Sequence, residues 1–259
     1  PALAYGRFTG CGQTGPLSQA AGHDINYIAL SGALWYAGRP GEPPFAPPTL
    51  AGDIGGGALY LTIGMLACIL NAQRTGKGDV VDAAMVDGSA HMMNLVLSLR
   101  SSGTVVNERG KSILDGPHWF DTYECSDGKF VSVGALEPHF YKLLIDKIGV
   151  AEKPEFAKQF DIDAWPNQKE AFKALFASKT QLDWCELLEG TDACFAPVLN
   201  PDEAAEHPHM QSRNVYGTHN EHLQAQAAPR FTHSANQPPR NAIESDFDKI
   251  ISSWLQESR

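Results

Sequence analysis

At 259 residues, 43% hydrophobic and 19% charged, the chain is long enough for one large or two modest domains around a sizeable core. A formal charge of −10 argues against general affinity for nucleic acid or anionic membranes, leaving room for a local basic pocket. Five scattered cysteines (Cys11, Cys68, Cys125, Cys185, Cys194), with no CxxC pair, read as reduced thiols of an intracellular protein rather than as disulfides or metal ligands.

The chain opens without an initiator methionine on "PALAYGRFTGCGQTGP". The alternation of Leu3, Tyr5 and Phe8, closed by Gly10 and Gly12, predicts a strand running into a loop, and reads as a strand already in progress in a piece of a longer protein. "GHDINYIALSG" (22–32) places His23 and Asp24 side by side at the head of an apolar run. That is either a plain turn before a regular element or a base at the mouth of a pocket. For a lone histidine the plainer reading is one that satisfies a nearby backbone group.

"PGEPPFAPPTLAG" (40–52) is too proline-dense for helix or sheet. A helix is expected over about Ile54–Gln73, apolar enough to be buried but opened by three glycines and closed by amides, and so a core helix rather than a membrane span. Asp53 sits at or just before its start. An ordinary N-cap explains that aspartate. Gly55, Gly56 and Gly57 do not fit so simply: glycine costs about 1 kcal/mol relative to alanine inside a helix, so their backbone is expected to approach something closely. Exposed N–H groups at such a helix start would favour negative charge on a ligand.

After the turn "RTGKG" come a strand and a long helical pattern in "DVVDAAMVDGSAHMMNLVLSLRSSG", then an irregular linker over about 104–120. "FDTYECSDGKFVSVGAL" predicts a β-hairpin turning at Ser126, Asp127 and Gly128. Glu137 follows its second strand and precedes a proline suited to a first helical turn. It is either polar decoration of a strand end or a carboxylate that orients an imidazole. Residues 138–190 read as mostly helical, with Thr180 an N-cap, and "CFAPVLNPDEAAEHPHMQSRNVY" as a short strand and two helices. Residues 217–245 read as an extended return segment, and about Asp246–Leu255 as a last amphipathic helix. "EHPHM", with His219 and His222, has the composition of a metal cluster but no zinc spacing, and "GKGDV" is no phosphate loop. Mixed strands and helices in two compositional zones predict an α/β unit with a smaller α+β unit.

Four separated stretches in order, "TGCGQTGPLSQAAGHDINYIALSGAL", "GDIGGG", "GKGDVVDAAMVDG" and "GALEPHFY", with "APRF" near 228–231, closely resemble the family III CoA-transferase superfamily, and within it the α-methylacyl-CoA racemase branch. The resemblance runs nearly end to end. It implies the family III fold: part of a Rossmann-like CoA-binding large domain (1–95), a linker (96–115), a small α+β domain (116–212) and a return linker and helix (213–259), in an interlocked homodimer, with the family's front portion and its CoA-phosphate contacts missing here. It also implies an isomerase of acyl-CoA and lipid metabolism with no cofactor beyond the CoA of its substrate. The sequence itself, with no targeting signal seen, no metal-ligand spacing and a charge of −10, adds the expectations of a cytoplasmic protein, no metal and no nucleic acid.

By that resemblance His23 and Asp53 are the two acid/base groups, Glu137 the carboxylate partner of the histidine, and Gly22, His23, Asp24, Ile25, Asn26 and Tyr27 the substrate-contacting loop. Gly55, Gly56 and Gly57 are candidate N–H donors to an enolate oxygen. Cys11 stands where the family more often has an aromatic residue. The implied activity is epimerisation of 2-methylacyl-CoA thioesters. Two readings compete with it. One is CoA transfer between carboxylic acids with Asp53 as nucleophile, which His23 speaks against, because transferases of the family typically lack a histidine there. The other is a non-catalytic fragment.

Overall fold

The computed structural model describes residues 2–234 and 251–252. The chain divides into two compact units, Pro1–Pro197 and Val198–Arg259. In the first, β1 (Ala4–Thr9) forms where the alternation predicts it and pairs in parallel with β2 (Asp79–Ala84), from Ala4 opposite Asp79 to Thr9 opposite Ala84. Parallel strands need a long crossover. Here it contains α1 (Asp24–Ser31), a π-helical segment (Leu50–Ala58) and, continuous with that, α2 (Leu59–Thr75). Gly6 and Gly64 let α2 lie close on the sheet: a Cβ on Gly6 would stand 2.7 Å from Leu61, and one on Gly64 2.5 Å from Val81.

The expectation of a buried helix needs correcting. Only Cys68 and Ala72 of α2 are buried, while Leu59, Ile63, Leu66 and Leu70, which share one helical face, are 56–66% exposed. By length and composition Leu50–Thr75 could cross a membrane. Its packing on β1 and β2 is instead that of the helix in a βαβ unit.

The long helical pattern after β2 is broken at Met93 into α3 (Met85–Met92) and α4 (Asn94–Ser101). The irregular stretch that follows leads to the predicted hairpin, β3 (Phe120–Glu124) and β4 (Phe130–Gly134), closed by Cys125 N–H on Lys129 O with Gly128 at φ 76°. β5 (Phe195–Val198) adds to β4, giving the order β3-β4-β5. Against this sheet lie α5 (Pro138–Lys147), α6 (Trp165–Phe176) and α7 (Gln181–Leu188), whose predicted cap Thr180 accepts from Asp183 N–H at 3.2 Å. Trp119, Tyr123, Phe156, Phe172, Phe176 and Trp184 fill the core between them.

One residue of the supposed linker is central to that core. His118 is fully buried, its Nε2 2.9 Å from Tyr141 Oη, among the rings of Tyr141, Phe156 and Phe172. Arg39 reaches the same region, gripping Asp121 with both terminal nitrogens (3.0 and 3.1 Å) while Lys169 holds the same carboxylate at 2.7 Å. The two cations hold Asp121 below the usual carboxylate range, against the opposing effect of burial.

In the second unit, α8 (Pro201–Glu206) and α9 (Pro208–Ser212) follow the predicted helix starts. The extended return segment is corrected: β6 (Tyr216–His219) and β7 (His222–Ala225) form a hairpin. Its two turn residues, Asn220 and Glu221, both have positive φ (49° and 65°), the type I′ pattern. The helix predicted over Asp246–Leu255 lies outside the described residues except for Ile251 and Ser252, which are helical.

Candidate active site

His23 occupies the N-cap of α1 in extended conformation (φ −135°, ψ 175°), with its side chain exposed. Its own N–H donates to Asn26 Oδ1 at 3.1 Å, and its carbonyl accepts from Asn26 N–H at 2.8 Å, so the turn that presents the imidazole is tied by its neighbour three residues on. Of the two readings left open by the sequence, the turn is seen directly: His23 stands at the N-cap of α1, with the residue exposed.

Asp53 lies half-buried in the first turn of the π-helical segment. π-helical turns are rare and recur at functional sites. Burial and the nearby charge of Asp24 raise its pKa, while the His23 imidazole acts on it in the opposite direction. His23 and Asp53, thirty residues apart in sequence, are thus brought into one electrostatic neighbourhood.

The loop Gly22–Tyr27 divides into two faces. His23, Ile25 and Asn26 are exposed; Asp24 and Tyr27 are buried, at 7% and 8%. Tyr27 packs over Gly22, donates its hydroxyl to the Gly22 carbonyl, and would collide with a Cβ at Gly10 or Gly22. Burial, followed by the charges of Cys11 and Asp53, holds its phenol above the ordinary range. Cys11 therefore lies close enough to touch the electrostatics of this loop, through Tyr27. Asp24 Oδ1 accepts from the N–H groups of Gly52 and Asp53 at 2.6 and 2.8 Å. Both residues thus work inside the protein, and the exposed face keeps the histidine.

The three glycines also acquire a packing reason. A Cβ on Gly56 would stand 2.7 Å from Ser89 N and 2.9 Å from Met85 O, one on Gly57 2.9 Å from Met85 Cγ, and one on Gly55 3.2 Å from Leu50 O. Gly88 on α3 meets the Gly56 carbonyl in return. Backbone comes close to backbone at Gly56, where the object approached is α3, while Gly57 lies nearest the Phe8 ring of β1 and Gly55 nearest the Leu50 carbonyl of its own segment. The i→i−5 ladder of the π-helix also engages N–H groups in this segment, which adds to the packing reason for Gly55, Gly56 and Gly57.

Glu137 is the exposed N-cap residue of α5, with Pro138 in the first turn as the sequence predicts. Among the described residues its carboxylate makes no hydrogen bond, to His23 or otherwise. Its charge is felt by Cys194, a thiol raised chiefly by burial. The chain therefore brings His23 and Asp53 into one electrostatic neighbourhood, while no hydrogen bond among the described residues joins Glu137 to either. Two cavities of the first unit lie elsewhere: one of about 460 Å³ around Arg39, Asp121 and Lys169, and one of about 400 Å³ beside Trp35, Met93 and Leu97. Among the described residues, no group of three or more His, Cys, Asp or Glu is placed to hold a metal ion.

The profile of the family described as "CoA-transferase family III" matches residues 1–243. The chain belongs to CoA-transferase family III. It is 42% identical over 224 residues to the alpha-methylacyl-CoA racemase of Mus musculus, covering 86% of this chain and 58% of that protein. To the protein of the same name from Homo sapiens it is 42% identical over 222 residues, covering 85% and 58%. This family III chain thus spans 58% of the length of these two relatives. Its fold is that of a CAIB/BAIF family protein from Brucella suis, with a TM-score of 0.75 at 22% identity, covering 98% of this chain and 68% of that one.

Proposed function

We propose that this family III chain carries the two-base centre of an enzyme that epimerises 2-methylacyl-CoA thioesters. The observation that supports it most is the placement of an exposed imidazole at the cap of α1 beside a half-buried carboxylic acid whose pKa burial raises. Thioester α-protons are weakly acidic, so the reaction needs a base on one face, an acid on the other and a donor to the enolate oxygen. Neutral His23 removes the α-proton from one face, and protonated Asp53 delivers its own to the opposite face. The reverse direction exchanges the roles. A turnover in the first direction leaves imidazolium and carboxylate, one in the reverse direction leaves imidazole and carboxylic acid, and proton exchange with water resets the pair. The raised pKa of Asp53 fits this task, because one of the two groups must start protonated.

For the enolate oxygen, the N–H groups of Asp24 and Ile25 in the first turn of α1 stand beside His23 and have no partner among the described residues, as expected of a helix start. We further propose a homodimer in which a second copy brings Glu137 to His23, since within one chain no hydrogen bond among the described residues joins the two. The two would then form the carboxylate–imidazole pair that fixes the tautomer.

His23→Gln and Asp53→Asn test the assignment on separate (R)- and (S)-2-methylacyl-CoA samples in heavy water. Each substitution is expected to slow epimerisation by about a thousandfold, the scale of a lost acid/base group. Each should still exchange the α-proton of one epimer, and the surviving epimer should differ between the two. Loss of all activity in Asp53→Asn, with CoA transfer to a carboxylate acceptor retained in His23→Gln, would instead mark Asp53 as a nucleophile.

A further inference from the structure

The two motifs "GHDINY" and "GDIGGG" are joined by one side chain. Asp24, buried at 7%, directs Oδ1 onto two consecutive backbone N–H groups 28 and 29 residues away, Gly52 at 2.6 Å and Asp53 at 2.8 Å. Gly52 is shaped to receive it: a Cβ there would stand 2.8 Å from Asp24 Oδ1 and 3.1 Å from its carboxyl carbon. The same residue is covalently next to His23 and is the first residue of α1. One carboxylate therefore fixes the separation between the backbone that carries the imidazole and the backbone that carries the second carboxyl. We infer that Asp24 is the positioning residue of this centre, setting Asp53 against His23 from inside the protein and making no contact with substrate through its side chain. This rests on the two-base reading and deepens it, and it reassigns a residue that the sequence places in a substrate-contacting loop.

A second consequence is electrostatic. Around the π-helical segment, α1 contributes His23, Asp24 and Tyr27, α3 contributes Asp87 and His91, β1 contributes Tyr5 and Arg7, and β2 contributes Asp79 and Asp82. Of these, Asp24 and His23 are the charges that act on the Asp53 carboxyl, Asp24 upward and His23 downward. Asp24 thus places Asp53 and, after burial, pushes its pKa upward.

Asp24→Asn separates these two effects, because an amide oxygen still accepts from Gly52 and Asp53 but carries no charge; Asp24→Ala removes both. In the whole protein labelled with γ-¹³C aspartate, Asp53→Asn assigns the Asp53 carboxyl signal. In Asp24→Asn its titration midpoint is expected at lower pH than in the parent. The rate of α-proton exchange at its optimum should fall less than about tenfold, with the limb of its pH profile that Asp53 sets also shifted to lower pH. In Asp24→Ala exchange should fall about a hundredfold, the scale of a misplacement near 1 Å. An unmoved Asp53 midpoint in Asp24→Asn, or equal exchange rates in the two variants, would overturn the inference. Because the carboxyl titration is read without substrate, a shifted midpoint in a protein that exchanges no α-protons would keep the Asp24–Asp53 linkage and discard the epimerase reading instead.

Discussion

Gly88→Ala is expected to destabilise the first unit by about 3 kcal/mol or more, although glycine to alanine inside a helix ordinarily stabilises by up to about 1 kcal/mol. The reversal comes from what the new methyl group would meet. Gly88 lies within α3, and a Cβ there would fall on the carbonyl oxygen and carbon of Gly56, with the Tyr60 ring 2.9 Å away. A flexible side chain could turn aside; a backbone carbonyl can move only if the π-helical segment moves with it. That segment carries Asp53, so loss of stability and loss of α-proton exchange should arrive together. Gly134→Ala is the control. It stands in β4, where the nearest atoms to a new Cβ are 3.9 Å away, and it should leave the urea midpoint within about 0.5 kcal/mol of the parent. Equal midpoints for Gly88→Ala and the parent would show that α3 does not pack on Gly56 as described.

The second large effect is a loss of stability in mild acid, centred on His118. Tyr141 Oη donates its single proton to the Phe156 carbonyl at 3.0 Å, so the His118 nitrogen 2.9 Å from that oxygen, Nε2, must be the donor. Nδ1 is then an acceptor, and it is buried without a partner among the described residues. Protonating it would create a buried cation facing aromatic rings and under the influence of Lys169. Burial first, and then Lys169, lower the pKa from 6.5 to about 3. The folded state therefore binds fewer protons than the unfolded state between these values. The stability is complete above pH 6.5 and drains away as pH falls towards 3, by about 2 kcal/mol at pH 5. Asp121 contributes stability of the other familiar kind, lost only when the pH falls low enough to protonate a carboxylate that two cations hold down. Urea unfolding measured from pH 7.5 to 4.5 should show the His118 decline, and His118→Phe should flatten it. The substitution leaves Tyr141 bonded to Phe156 and removes the orphaned nitrogen. An unchanged slope in His118→Phe would place the acid sensitivity elsewhere.

Much of this architecture is legible in the sequence because its signals are local. Leu3, Tyr5 and Phe8 announce β1, Asp127-Gly128 the first hairpin, Thr180 a cap, and Glu137-Pro138 a helix start. Asp53 is read as a cap at or just before the start of a glycine-rich helix, whereas the helical segment already begins at Leu50 with Thr49 as its N-cap, so Asp53 lies within its first turn. What cannot be read locally is what distant residues do to one another. The Asp24 carboxylate reaches Gly52 and Asp53 only once α1 is packed on the π-helical segment, so in sequence it looks like a neighbour of His23 rather than the anchor of Asp53. The three glycines declare a close approach but not its objects, α3 for Gly56 and the Phe8 ring of β1 for Gly57. The β6–β7 hairpin is hidden because Asn220-Glu221 supplies the left-handed turn without the glycine that usually marks it, although Asn220 is the residue that could have signalled it. His118 sits in a stretch with no periodicity, where nothing in the sequence marks it as the centre of an aromatic core.

The central claim is that His23 and Asp53 face opposite sides of one α-carbon. The most direct measurement is proton NMR of (R)- and (S)-2-methylacyl-CoA, kept as separate samples, in heavy water with the unmodified protein as its gene encodes it. The account predicts that each epimer loses its α-proton, converges on the same mixture of both configurations, and carries solvent deuterium at the α-carbon. Retention of the α-proton in both samples, accompanied by movement of CoA to an added carboxylate, would contradict it.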